Sequence, residues 1–224
     1  MPPSTANPDE MPEIKTLRRL TKSLAMLDAI ICPEWEFRYY SYKQNWGTDE
    51  EMASMRDGSG DEWFILFALH GAALKGFAHE SALAADKSFP SQIQKSVPAE
   101  FTSFLHQAAF SMQKATFCLW RKNEEAIWNI VMPNEGIDWL ESDGSGEMLS
   151  ILDGNPETYQ TWAESYYEQA VSLVAVKAIY DHQTLTSDLV ALLNPEIALS
   201  DIKADVGEIG YPDSDKSIKQ SGVH

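Results

Sequence analysis

Apolar residues near the start of the chain repeat in a helical rhythm. Ile14, Leu17, Leu20, Leu24, Leu27 and Ile31 follow one another at spacings of three and four. That spacing sets them on one stripe of a 3.6-residue helix. Lys15, Arg18, Arg19 and Lys22 fall mostly off the stripe. Pro33 has no N–H to donate and disfavours the α region before it, so it should stop the helix. From 34 to 42 the rhythm changes to two. Trp35, Phe37 and Tyr39 share one face, Glu36, Arg38 and Tyr40 the other, as in a strand.

The next apolar runs read as a meander. A weaker strand covers 51–56, and Asp57-Gly58-Ser59-Gly60 is a tight turn. The run WFILFAL over 63–69 is apolar without alternation, so both its faces should be covered, as in a central strand. His70-Gly71 reads as a hairpin turn and 72–79 as the returning strand. Pro98 opens a helix with Phe101, Phe104, Leu105 and Ala108 inward. A second strand pair follows over 115–122 and 126–132, joined around Asn123-Glu124.

The C-terminal part reads as helices. Asn155-Pro156-Glu157 combines a capping side chain, a first-turn proline and a first-turn acid. Tyr159, Trp162, Tyr166, Ala170, Leu173 and Val174 continue that helix, with a break expected near Gln169. Thr186 and Ser200 are candidate caps of two short helices. In the second, Ile202, Val206 and Ile209 face inward, and Gly210 and Pro212 stop it. The fold class is therefore α+β: an N-terminal helix, an antiparallel meander covered on one face by helices, and a helical C-terminal part. One domain over 1–212 fits, with 213–224 a disordered tail.

Charge sharpens this picture. The chain holds 34 acids against 17 bases, a net charge of −17 over 224 residues. A nucleic acid or an anionic membrane would be repelled at long range, so neither is an expected partner. Residues 134–224 hold 17 acids against 4 bases, a balance of −13, and 1–133 balance to −4. The shift falls near Pro133-Asn134-Glu135-Gly136 and is compatible with an acidic helical subdomain over 134–212. The first twelve residues lack a basic residue and an apolar core, so no secretory signal is read there. Two separate thiols, Cys32 and Cys118, fit a reducing compartment. A cytoplasmic protein is expected.

Few residues combine into recognisable chemistry. The string DGSG occurs at 57–60 and again at 143–146, each among further acids. Neither copy places glycine at position 6 and glutamate at position 12 of a calcium loop, so solvated turns are expected. His79, Glu80 and Ser81 hold the residue types of a triad, yet on a strand Glu80 would point away from the other two. No G-x-S-x-G elbow, phosphate-binding glycine loop or metal-ligand histidine spacing is present, and no cofactor or metal is expected. Arg38 is expected to pair with Glu36, and Arg56 with the turn acids Asp57 and Asp61. Trp46 and Trp139 stand out among seven tryptophans because each lies in a polar, acid-bearing stretch. Such an aromatic beside acids suits the rim of a partner-binding surface.

Several longer strings carry a resemblance: PEWEFRYYSY (33–42), MASMRDGSGDEWFILF (52–67), GAALKGFAHES (71–81), FSMQKATFCLW (110–120), ILDGNPETY (151–159) and EIGYP (208–212). Together they resemble a group of bacterial α+β proteins with no assigned activity, over roughly 15–212. In size, acidity and α+β order the chain is also similar, without a shared motif, to toxin-immunity proteins, including the SMI1/KNR4-like group. The acidic C-terminal segment, the tryptophan-bearing acidic stretches and the lack of a recognisable catalytic arrangement lead us to expect a non-enzymatic protein that captures a basic partner protein. The candidate partner-binding residues are Trp46, Asp49, Glu50, Trp139, Glu141 and Asp143. The alternative is a small hydrolase with its site around Arg56, Asp61, His79 and Glu80.

Overall fold

The computed structural model describes residues 1–133 and 143–212. Six antiparallel strands form one sheet in sequence order. They are β1 (Tyr40–Gly47), β2 (Glu50–Arg56), β3 (Glu62–Ala68), β4 (Gly71–Phe77), β5 (Phe117–Lys122) and β6 (Asn129–Ile130). The helix α1 spans Ile14–Ile31, the range its stripe predicts, and Cys32 closes it by donating N–H to the Asp28 carbonyl.

Helices cover both faces of the sheet, where one covered face was expected. On one face lie α1 and the C-terminal helices α5 (Pro156–Tyr166), α6 (Leu173–Tyr180), α7 (Ser187–Leu193) and α8 (Lys203–Ile209). On the other lie α2 (Phe89–Ser96) and α3 (Thr102–His106). The non-alternating run of β3 accounts for this. Trp63, Ile65 and Phe67 enter the first core, while Phe64 and Leu66 enter the second. The helix α2 escaped the sequence reading because it buries only Phe89 and Ile93, too few apolar positions for a visible stripe. The C-terminal helices share the α1 core: Tyr159, Val176, Ile179, Val190 and Val206 pack with Leu24 and Trp63. Among the described residues these helices have no separate core of their own.

Several local expectations change. Residues 35–37 form a 3-10 turn rather than a strand, which leaves Trp35 and Phe37 exposed. The chain becomes extended only where Asp28 accepts the Tyr39 and Tyr40 N–H groups, at 2.9 and 2.7 Å. The β3–β4 hairpin pairs Ala68 with Gly71, so its turn is Leu69-His70. The second strand of the later pair shrinks to Asn129–Ile130. Thr186 caps α7 as expected, its hydroxyl accepting the Leu189 N–H at 3.2 Å. Ser200 does not cap α8, which begins after Ile202 without a side-chain cap. Arg38 turns away from Glu36 and grips both carboxylate oxygens of Asp205 on α8, at 2.5 and 3.3 Å.

Candidate functional site

The two DGSG turns, alike in sequence, have opposite roles. In the first, Asp57 Oδ1 accepts the N–H groups of Ser59, Gly60 and Asp61 at 2.8 to 2.9 Å, a side-chain-closed turn at the surface. In the second, Asp143 is only 2% exposed. It accepts from the Thr5 hydroxyl and from the Ser145 N–H and hydroxyl. Thr116 ties this knot to the sheet by donating to the Asp143 carbonyl at 2.9 Å and accepting the Ala78 N–H at 3.1 Å. Burial pushes the Asp143 carboxyl above its ordinary value, against the pull of the Thr5 and Ser145 hydrogen bonds. Asp143 therefore anchors the N-terminal segment and has no surface to offer a partner, contrary to its expected role.

The short helix α4 (Ser145–Met148) that follows carries Glu147 to the Asp57 turn. A groove of about 190 Å³ opens there, lined by Asp57, Asp61 and Glu147 and by the rings of Tyr39, Tyr40 and Trp162. No lysine, arginine or histidine lines it. Trp162, on α5, meets Tyr39 and Tyr40 edge to face, with centroids at 4.8 and 5.0 Å. Burial raises the Tyr39 phenol far above its ordinary value, and the charges of Asp57, Tyr166, Glu147 and Asp61 push it the same way. The phenol stays protonated inside a negative field. Among the described residues, no group of three or more His, Cys, Asp or Glu is disposed to hold a metal ion. The groove suits an organic cation: carboxylates supply charge and the ring faces supply a quadrupole.

Beside the groove, Asp61 holds His79. One Asp61 oxygen accepts the His79 N–H and faces His79 Nδ1, both at 2.7 Å. The same carboxylate, with smaller help from Glu80 and Asp57, raises the His79 imidazole above its ordinary value. Strand β4 ends at Phe77, so the alternation expected for 79–81 does not apply. The acid orienting the imidazole is Asp61 rather than Glu80, which stands 3.9 Å from Nε2. The Ser81 hydroxyl accepts the Leu83 N–H at 3.1 Å. Arg56 does not join this group. It lines a separate groove of about 210 Å³ with Trp35, Phe37 and Tyr166, and its guanidinium lies over the Phe64 ring at 5.4 Å.

The remaining predicted residues divide. Trp46 is half-buried and stacks on Phe110, with centroids at 5.9 Å and planes 14° apart, so it seals the second core rather than a partner rim. Asp49 and Glu50 lie at the β1–β2 turn, at the far end of the strands from Asp57 and Asp61, and line a larger cleft. Trp139 and Glu141 lie outside the described residues. Of the groove residues, Tyr39 and Trp162 read in sequence as parts of apolar stripes, and Tyr40 as the opposite strand face with Glu36 and Arg38. The available signals were the aromatic run 35–42 and Glu147 just after the second DGSG. Part of the C-terminal acid surplus is spent internally: Glu157 pairs with Lys177, Glu208 with Lys43 and Asp205 with Arg38.

Compared with protein-family models, curated proteins and solved structures, the chain matches none of them. Among the described residues no helix is long and apolar enough to cross a membrane.

Proposed function

We propose that the protein is a non-enzymatic binding protein of the immunity type that captures a basic partner protein. The observation carrying this reading is the base-free groove, in which Asp57, Asp61 and Glu147 meet Tyr39, Tyr40 and Trp162. A lysine or arginine side chain of the partner enters it. A cation over an aromatic face gains about 0.5–1 kcal/mol when exposed and about 2 when desolvated, and Glu147, which makes no ion pair among the described residues, adds a charge-assisted hydrogen bond. The net charge of −17 steers such a partner toward the surface and raises its association rate.

Titration with a blocked oligolysine peptide tests this reading, with oligoglutamine as control. Oligolysine binds with a strong salt dependence, and Glu147→Gln weakens it about tenfold, while Asp188→Asn on α7 leaves it unchanged. Equal weakening by both variants would reduce the effect to net charge and end the proposal.

A second reading rests on the Asp61–His79 hydrogen bond. A half-exposed imidazole held by a carboxylate is the general-base half of a hydrolase site. Ester hydrolysis abolished by His79→Gln would favour it over the binding reading.

A further inference from the structure

A cleft of about 730 Å³ lies at the opposite end of β2 and β3 from the acidic groove. Its charged lining comes from several elements. Lys15 and Arg18 come from α1 and Arg121 from β5, whereas Asp49 and Glu50 come from the β1–β2 turn. Glu13, just before α1, and Glu51, on β2, are two acids on the basic side.

The sheet register explains how two arginines come to line one cleft. Glu51 pairs with Phe67, Phe67 with Ala72, and Ala72 with Arg121, so the four stand in one row on the α1 side. Arg18 reaches down from α1 over the Phe67 ring, 5.2 Å from its centroid. Two strand spacings, about 10 Å, separate Phe67 from Arg121, and the small Ala72 between them leaves room above the sheet. Glu51 pairs with Arg18 through Oε1 and with Lys22 through Oε2, so a ligand carboxylate on Arg18 has to share its guanidinium with Glu51. Its carboxylate is shared with Lys22 at 2.8 Å and the Tyr42 hydroxyl at 2.6 Å, while Arg18 stands at 3.4 Å. Arg121 donates Nε to the Glu125 carbonyl at 2.8 Å, which orients the guanidinium plane. Its terminal nitrogens make no ion pair among the described residues.

On the other wall, Asp49 adopts φ 57°, a left-handed turn conformation, and is exposed. Glu50 is half-buried and its carboxylate lies against Gly47.

We propose that this cleft binds a small zwitterion of the unblocked dipeptide class, with its carboxylate on Arg18 and Arg121 and its ammonium on Asp49 and Glu50. Paired guanidinium groups favour a carboxylate over a diffuse anion, because the planar forks match its two oxygens. Acids on the facing wall reject a ligand carrying negative charge alone, and the arginines reject a cation alone, so a molecule with both charges is selected. An extended dipeptide spans about 7 Å, and the cleft volume lies within the range of small-molecule sites. This site is independent of the acidic groove and of any reading of its function.

The test uses the full chain, labelled with nitrogen-15 and titrated with alanylalanine, N-acetyl-alanylalanine and alanylalanine amide at millimolar concentrations. Saturable amide shifts at Gly47, Asp49 and Arg121 are expected with the zwitterion only. Arg121→Gln and Asp49→Asn should each weaken binding about tenfold. Both alter exposed or half-exposed groups, and asparagine tolerates the left-handed turn. Equal shifts with all three compounds, shifts that do not saturate, or shifts confined to the Asp57 end of the sheet would overturn the proposal.

Discussion

Tyr159 donates its phenolic proton to Asp28 at 2.8 Å inside the core, and this bond ties α5 to α1. The other Asp28 oxygen accepts the N–H groups of Tyr39 and Tyr40. One buried carboxylate therefore sets three walls of the acidic groove: the two tyrosines directly, and Trp162 through its helix.

The Asp28 carboxyl carries a pH dependence whose sign is fixed. Burial raises it from 3.8 to about 6, against the pull of its hydrogen bonds. A carboxyl raised in the folded state contributes stability that is full below its unfolded value and lost as pH rises through the folded one. Unfolding free energy should therefore lose a contribution on the order of 3 kcal/mol between about pH 4 and pH 6. Asp28→Asn should remove that slope. Denaturant titrations of both proteins across this range check it, and parallel curves would refute the assignment.

The Thr5–Asp143 bond should hold the N-terminal segment down. Thr5→Val removes a donor from a buried carboxylate, at a cost of about 1–3 kcal/mol. Amide exchange should rise at Ser4, Thr5 and Ser145 while the sheet amides stay protected. Unchanged exchange at Ser145 would show that the knot is dispensable.

Gly76 leaves space that Phe117 fills. A Cβ placed at Gly76 would lie inside the Phe117 ring on the paired strand. Gly76→Ala should lower stability by about 1–3 kcal/mol through overpacking, and Phe117→Leu should recover part of that loss in the double variant. Additive losses in thermal unfolding would count against the contact.

The Arg38–Asp205 and Lys43–Glu208 ion pairs both hold α8, and they should differ in weight. The Arg38 side chain is 8% exposed and bidentate on Asp205. Lys43 and Glu208 are each about half exposed. Asp205→Asn should cost about 2 kcal/mol, because it strands a buried guanidinium. Glu208→Gln should cost less than about 1 kcal/mol. Urea midpoints of the two variants provide the comparison.

The helix α1, the turn before β3, the two-sided burial of β3, the cap of α5 and the meander were all legible from residue order alone. Each depends on neighbours within a few positions, where spacing and capping chemistry act directly. The strand expected over 34–42 was displaced because Asp28, eleven residues before Tyr39, captures its backbone. Arg38 found Asp205 rather than Glu36 because α8 packs beside β1, and nothing in the local sequence announces that proximity.

Sequence alone determined the acid surplus, the α+β class and the ends of the strongest elements, since composition and periodicity need no distant partner. Tertiary structure decided which acids are available. It buried Asp143 against Thr5, left Asp57 at the surface in the same tetrapeptide, and brought Glu147 to Tyr39 across more than a hundred residues. The physical reason is desolvation: whether a carboxylate is a surface charge or an internal anchor depends on what packs over it, and that is settled only when the layers close.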